Sequence, residues 1–146
     1  MKIKEVMTRA VEVVNADVTV QEAAARMKSL NVGSIPVSDG GRPLGIVTDR
    51  DIVIRAVADG RDARTTRVQE VMSADVATCN EDDDVKEAAR VMKDRQIRRL
   101  VVLGADRKVT GILSLGDIAV DARDDKMTGQ VLEKVSQDTA TVGARR

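Results

Sequence analysis

An internal duplication constrains the fold of this chain more than any other feature of its sequence. The tetrapeptide Glu5–Thr8 recurs as Glu70–Ser73, an offset of 65 residues, and Gly45–Asp51 recurs as Gly111–Asp117, an offset of 66. The one extra residue falls shortly before Gly45, in a predicted turn, where a structural repeat tolerates an insertion. The chain is therefore predicted to build one supersecondary unit twice.

The first long helix of each repeat is predicted from an apolar stripe. Thr19-x-x-Glu22 and Asp84-x-x-Glu87 have the form of capping boxes and predict that helices start there. The apolar positions that follow have helical spacing and are Val20, Ala23, Ala24, Met27 and Leu30 in the first repeat, and Val85, Ala88, Ala89 and Met92 in the second. Each repeat therefore contains one amphipathic helix, the first ending near Leu30.

The remaining pattern gives each repeat the order strand, helix, strand, strand, helix. Turn residues at Asp39–Gly41 and Gly104–Asp106 predict two hairpins. The other predicted elements are a helical lead-in at Lys4–Met7, strands at Val11–Val14, Ser34–Ser38, Pro43–Val47, Leu100–Leu103 and Lys108–Leu113, a helix from Thr48 to near Gly60, and a last helix from Ser114 to about Arg123.

Two such units are expected to pack together. A unit of about 60 residues buries only about 60% of its unfolded surface and is marginal alone. We therefore expect an α+β fold in which two β-α-β-β-α units, residues 1–62 and 63–127, pack about a pseudo-twofold axis with related clefts at their junction. The polar residues 60–67 predict an exposed linker. The tail, 128–146, is predicted to be partly helical around Val131 and Val135 and frayed at its end.

Composition argues against several functions. Lys plus Arg and Asp plus Glu both number 24, a balance that argues against nucleic acid or an anionic membrane as a partner. There is no His and no aromatic residue, which removes the commonest general base and stacking on bases. We expect no enzyme activity and no metal site and, without an apolar signal segment, a cytoplasmic protein. Cys79 occupies an apolar strand position and is predicted to be a buried structural thiol.

The duplicated Gly-h-h-Thr/Ser-x-x-Asp motif, in which h is aliphatic, has two interpretations. Thr48 and Ser114 are suited to cap a helix, and Asp51 and Asp117 lie three residues further on, where an acid is favourable in any helix. Alternatively, the two carboxylates accept hydrogen bonds from the hydroxyls of a ribose. The roles are compatible if the hydroxyl caps the helix and the carboxylate faces a cleft.

In their order, found twice, these motifs resemble the tandem repeats of cystathionine-β-synthase (CBS) domain pairs, also called Bateman modules. The resemblance covers about residues 1 to 123 and rests on Glu5–Thr8, Glu70–Ser73, the Val-x-Glu-Ala-Ala-x-x-Met stretch of each repeat, Ile35–Val37 and the two Gly-h-h-Thr/Ser-x-x-Asp motifs. It implies a regulatory module, usually a homodimer, that binds an adenosyl ligand such as AMP, ADP, ATP, NAD or S-adenosylmethionine and requires no cofactor.

The resemblance also implies a role for the residues that follow the first long helix of each repeat. Gly33, Ser34 and Pro36 would form a small wall that admits an adenine ring. The second repeat has Arg98 and Arg99 in place of the glycine and serine, and guanidinium groups suit phosphate oxygens. The two clefts are therefore expected to differ.

Two functions remain open from the sequence. The first is a non-enzymatic, stand-alone regulatory protein whose adenosyl ligand shifts the angle between units or protomers and so acts on an unidentified regulated protein. The alternative is a structural or interaction module that kept the fold without the ligand, dimerises and binds a protein partner. The two Thr/Ser-x-x-Asp motifs would then be helix caps only.

Overall fold

The computed structural model describes residues 1–9, 12–74, 76–122 and 125–141. The chain divides into two compact units. We call Ala10–Val76 the central module, and Met1–Arg9 together with Ala77–Arg146 the terminal module. The fold is α+β, as predicted, with two small sheets and their helices.

The central module contains a three-stranded sheet. Its elements are β2 (Val14–Asn15), α1 (Val20–Leu30), β3 (Ser34–Asp39), β4 (Arg42–Thr48), α2 (Asp49–Ile52) and a 3-10 turn (Val68–Glu70). A π-helical turn, Val53–Val57, continues directly from α2. β2 runs parallel to β3, and β3 and β4 form an antiparallel hairpin.

The terminal module repeats this design with one more strand and one more helix. Its elements are a 3-10 turn (Ile3–Glu5), β1 (Thr8–Arg9), β5 (Thr78–Asn80), α3 (Val85–Arg95), β6 (Arg99–Leu103), β7 (Val109–Ser114), α4 (Leu115–Asp117) and α5 (Asp125–Thr141). The sheet order is β1-β7-β6-β5. A π-helical turn, Ile118–Ala122, follows α4.

The predicted elements are present, with shifted ends. α1 ends at Leu30 as predicted, where Asn31 adopts the left-handed conformation (φ 55°), and Gln96 (φ 54°) ends α3 in the same way. The strand predicted at Val11–Val14 is observed at Val14–Asn15, and Val11 lies outside the described residues. The predicted end of the last helix, at Arg123, lies outside the described residues, and so does the tail beyond Thr141.

The compact modules do not coincide with the sequence repeats predicted at 1–62 and 63–127. Residues 1–9 belong to the module that holds the second repeat, and residues up to Val76 belong to the module that holds the first. In the terminal module, β1 pairs antiparallel with β7, with Thr8 opposite Ile112. In the central module, Ser73 and Ile46 exchange two backbone hydrogen bonds of 2.9 and 3.0 Å. Each Glu-Val-Met-Thr/Ser segment thus completes the sheet of the other repeat.

The predicted linker at residues 60–67 has a structural role. The carbonyl oxygens of Ala63 and Thr66 accept hydrogen bonds from the N–H groups of Gln21 and Val20, at 3.0 and 2.8 Å. These bonds satisfy donors in the first turn of α1 that have no partner within the helix. Most of the linker is exposed, but Thr66 is buried.

The two predicted capping boxes form only in part. Thr19 Oγ1 accepts the N–H of Glu22 at 3.1 Å, and the Asp84 carboxylate accepts the N–H of Lys86 at 2.8 Å. The reciprocal bond from the glutamate is missing in both helices, because Glu22 pairs with Arg26 and Glu87 pairs with a neighbouring arginine one turn along the helix.

Each module has its own aliphatic core. The predicted stripe residues Val20, Ala23 and Met27 are buried in the central module, as are their repeat equivalents in the terminal module. The helix α5 covers the terminal core with Val131 and Val135, which are both buried. None of the helices in the described ranges is long and apolar enough to cross a membrane.

Candidate functional site

In the central module, the Asp51 carboxylate lies where β4 runs into α2. Asp51 Oδ2 accepts the N–H of Thr48 at 3.0 Å, and Thr48 Oγ1 accepts the N–H of Asp51 at 3.1 Å. The Ser73 hydroxyl donates to the same carboxylate, 3.3 Å from Oδ1. Asp51 is 8% exposed. Both the hydroxyl and the carboxylate of this motif therefore take part in capping the helix.

The terminal module repeats this arrangement at the junction of β7 and α4. Ser114 Oγ accepts the N–H of Asp117 and Asp117 Oδ2 accepts the N–H of Ser114, both at 3.0 Å. The Thr8 hydroxyl donates to Asp117 Oδ1 at 3.4 Å. Asp117 is less buried than Asp51. Its carboxylate keeps more contact with solvent and is held by one long hydroxyl bond at Oδ1.

Thr8 and Ser73 complete these two sites, and the sequence interpretation did not include them. Each stands at the end of a Glu-Val-Met-Thr/Ser segment and brings its hydroxyl to the aspartate of the other repeat. The signal available in the sequence was the same hydroxyl at the same place in both copies. Helix-cap reasoning could not find the contact, because Thr8 and Asp117 are 109 residues apart in sequence.

The wall predicted in the first repeat lies at the start of β3. Pro36 is buried and lies opposite Ile46 in the hairpin, while Gly33 and Ser34 are half-buried. The Gly33 carbonyl accepts the N–H of Asp49 at 3.0 Å, and a Cβ at Gly33 would lie 3.0 Å from the Asp49 carboxylate. The small residue at this position therefore accommodates the start of α2.

The equivalent residues of the second repeat line a cavity. The Arg98 carbonyl accepts a hydrogen bond from the N–H of Leu115 at 2.9 Å, which is equivalent to the bond between Gly33 and Asp49 in the first repeat. Both Arg98 and Arg99 are exposed. A cavity of about 450 Å³ lies within the terminal module and is lined by Arg98, Arg99, Ser114, Leu115, Gly116, Ala119, Thr128 and Leu132. The structure thus brings three of the sequence-predicted site residues together, the two arginines and Ser114.

A second cavity of about 250 Å³ lies between α3 and α5 and contains none of the predicted site residues. Its lining includes Lys86, Lys93, Lys126 and Arg90. Arg90 is engaged by two carboxylates of α3, at Glu87 and at Asp94. This groove is a basic helix face rather than part of the duplicated motif.

The acidic turn that precedes α3 contacts the N-terminal segment. Asp82 pairs with Lys4 at 2.9 Å, and this contact lowers the pKa of Asp82 below its ordinary value and raises the pKa of Lys4. Asp84 lies 3.7 Å from the amino group of Met1. Across the described ranges, no three His, Cys, Asp or Glu side chains converge on a metal site.

Cys79 is a buried thiol of the terminal core, as predicted. It lies on β5, and its Sγ donates to the carbonyl of Val101 at 3.9 Å. Burial, with a smaller contribution from Asp83, raises the pKa of the Cys79 thiol to about 12. The thiol is therefore protonated and unreactive near neutral pH.

The structure contains two strand-and-helix repeats that exchange their Glu-Val-Met-Thr/Ser segments, and each repeat has a hydroxyl–carboxylate junction. Comparison with known families likewise finds two copies of one domain. The CBS domain family matches residues 3–57 and 68–121. The chain belongs to the CBS domain family.

The chain is also similar to individual proteins and to solved structures. The CBS domain-containing protein YhcV of Bacillus subtilis is 41% identical over 134 residues, which are 92% of this chain and 94% of the relative. The crystal structure of Hypoxic Response Protein I with two coordinated zinc ions has a TM-score of 0.73 and 30% identity, and the match covers 83% of this chain and 98% of that one. A hexameric CBS-CP12 protein from bloom-forming cyanobacteria has a TM-score of 0.73 and 31% identity over 84% of this chain and 72% of that one.

Proposed function

We propose that this chain is a non-enzymatic regulatory module that binds an adenine nucleotide in the cavity of the terminal module. The observation that carries the proposal is the convergence of Arg98, Arg99 and Ser114 on one cavity of about 450 Å³. That volume falls within the roughly 300–1,000 Å³ of small-molecule sites. CBS-domain membership supports the adenosyl class of ligand.

The charges of the cavity favour a phosphorylated ligand. In the described part of the chain, the guanidinium groups of Arg98 and Arg99 make no hydrogen bond or ion pair to another side chain. A planar guanidinium can form two parallel bonds to phosphate oxygens, which gives both attraction and orientation. A nucleotide would replace water around these groups rather than break an existing pair.

The Asp117 carboxylate is the proposed ribose contact; Asp117 directly follows the lining residue Gly116 but does not itself line the cavity. Among the described residues, its Oδ1 accepts a hydrogen bond from the Thr8 hydroxyl alone, at 3.4 Å, and ribose hydroxyls can replace this weak bond. Its Oδ2 keeps the 3.0 Å bond that caps α4, so the cap survives ligand binding. Asp51 is more deeply buried, and we therefore assign the stronger site to the terminal module.

Titration calorimetry of the wild type with AMP, ATP, NAD and S-adenosylmethionine tests this function. We expect binding of at least one ligand, and we expect Asp117→Asn to weaken it roughly tenfold or more through loss of charged hydrogen bonds. Asp51→Asn is the matched control and should have the smaller effect. Absence of heat and of any melting shift with all four ligands contradicts the proposal. Equal affinity for wild type and Asp117→Asn contradicts the role of the carboxylate.

A second proposed property is self-association, and exposed apolar residues favour it. Val57 is 66% exposed and Val120 is 70% exposed, and both lie in the π-helical turns that follow the duplicated motif. Val53 and Ile54 extend the apolar surface in the central module. The hexameric assembly of the CBS-CP12 relative is consistent with association of CBS-domain chains. We propose a homodimer that acts on a regulated protein by a ligand-dependent population shift.

Sedimentation velocity tests the dimer. Val57→Asp places a charge on the exposed apolar surface and should shift the chain toward monomer. Gln137→Asp, a change at an exposed position of α5, should leave the wild-type distribution unchanged. A wild type that remains monomeric at high concentration refutes self-association.

A further inference from the structure

The helix α5 lies outside both segments that match the CBS domain family, which end at residue 121. It is nevertheless an integral part of the terminal module. Val131 and Val135 are buried in the core. The side-chain amide of Gln96, at the end of α3, donates to the carbonyl of Lys134 at 3.3 Å.

The same helix forms one wall of the cavity that holds Arg98, Arg99 and Ser114. Its contributions are Thr128 and Leu132, which follow one another by a single helical turn. Leu132 is 47% exposed although its neighbours on the helix, Val131 and Val135, are buried. The exposed leucine therefore borders the open side of the cavity.

Thr128 is the more informative of the two residues. Its hydroxyl oxygen is inaccessible to solvent and has no hydrogen-bond partner in the described part of the chain. A buried hydroxyl without a partner is unfavourable, and native proteins seldom keep one. Thr128 lines the cavity, but its hydroxyl does not open onto the cavity in this conformation. Rotation about χ1, for which threonine in a helix has two favourable rotamers, would bring the hydroxyl to an acceptor in the cavity.

We infer that α5 is a specific wall of the ligand site, in which the Thr128 hydroxyl donates a hydrogen bond to an oxygen of a phosphorylated ligand held by Arg98 and Arg99. This inference rests on the proposed nucleotide site and adds a regulatory consequence. A ligand that bonds to α5 stabilises the packed position of the helix, so cavity occupancy and α5 packing are thermodynamically linked. Conversely, a change that loosens the packing of α5 weakens ligand binding.

The test uses the full chain with ATP as the probe. Thr128→Val replaces the hydroxyl with a methyl group of the same shape, and Thr128→Ser keeps the hydroxyl. We expect Thr128→Val to weaken ATP binding about tenfold, as for loss of one hydrogen bond to a charged group, and Thr128→Ser to restore most of it. Ser136→Ala is the control on the same helix, since Ser136 is exposed and does not line the cavity.

The melting temperature without ATP separates a ligand role from a structural one. Thr128→Val should melt at or above the wild-type temperature, because it removes a buried hydroxyl that has no partner. Hydrogen exchange provides a further readout: ATP should slow exchange over residues 127–137 in the wild type and less so in Thr128→Val.

The outcomes distinguish the two proposals. Suppose that the wild type and Thr128→Val bind ATP with equal affinity and that ATP does not change hydrogen exchange in α5. This result refutes the role of α5 and leaves the nucleotide site standing. Wild-type protein that binds no ATP refutes this inference, and the nucleotide site is refuted with it only if AMP, NAD and S-adenosylmethionine also fail to bind. A loss of affinity in Thr128→Val that Thr128→Ser restores, with unchanged Ser136→Ala, supports the wall.

Discussion

Substitution of Gly111 by alanine tests the exchanged segment of the terminal module most directly. A Cβ at Gly111 would lie 2.5 Å from the carbonyl oxygen of Thr8 and 3.0 Å from the sulfur of Met7. The Thr8 backbone would have to retreat by about half an ångström even to reach the closest spacing that real side chains show. That movement disturbs the pairing of β1 with β7, which consists of two residue pairs among the described residues.

The expected cost follows from these contacts. Overpacking costs about 1–3 kcal/mol, and loss of a backbone hydrogen bond adds about 0.5–1.5 kcal/mol. We therefore expect Gly111→Ala to lower the free energy of unfolding by about 2–4 kcal/mol. With a shift of about 2–4 °C per kcal/mol in a chain of this size, the melting temperature falls by roughly 10 °C.

Urea unfolding followed by far-ultraviolet circular dichroism measures this change, because the chain has no aromatic residue for fluorescence. Gly129→Ala is the matched control. Gly129 lies within α5 with nothing within 4 Å of an added Cβ, so this change should stabilise the protein by up to about 1 kcal/mol. A Gly111→Ala protein within about 0.5 kcal/mol of wild type, the range of an ordinary surface change, refutes the exchanged-segment geometry.

Three further predictions concern the terminal module. Met92→Ala empties a fully buried core position and should cost about 2–5 kcal/mol in urea unfolding; a cost near zero contradicts the packing. Cys79, with its thiol pKa raised to about 12, should react with a thiol reagent at neutral pH only after unfolding, and fast reaction of the native protein argues against burial. Lys4 lowers the pKa of Asp82 in the folded protein. The pair therefore stabilises the fold at pH values above 3.8, the ordinary pKa of the carboxyl group, and this stabilisation is lost as the pH falls through the lowered pKa. Asp82→Asn should therefore lower the urea midpoint more at about pH 7 than at about pH 2.5, and equal effects at both pH values contradict the pair.

The sequence predicted the local structure of both repeats well because each signal acts over a few residues. The side chains of Thr48 and Ser114 cap their helices. The carboxylates of Asp51 and Asp117 in turn accept hydrogen bonds from the backbone N–H groups of these two capping residues, as the spacing of three residues indicated. The capping boxes predicted at Thr19 and Asp84 formed only in part. An arginine one turn further along each helix competes for the glutamate, and the choice between two partners depends on side-chain geometry that spacing does not specify.

The candidate site was predicted in its parts but not in its assembly. Arg98, Arg99 and Ser114 were each identified from the resemblance and the duplicated motif, and the structure places them on one cavity. Thr128 and Leu132 had no signal in the sequence beyond weak helical spacing, because the cavity wall depends on where α5 packs. The ribose role of Asp51 and Asp117 stays a prediction.

The duplication by itself therefore determined the order of elements, the helix starts and the two strand-to-helix junctions, since these follow from apolar period, turn residues and caps within a few positions. Tertiary structure alone decided that each Glu-Val-Met-Thr/Ser segment would complete the other repeat's sheet. It also decided that Thr8 would meet Asp117 across 109 residues. The physical reason is that both repeats carry the same pairing surfaces, so local patterns fit either partner, and only the packed chain selects one.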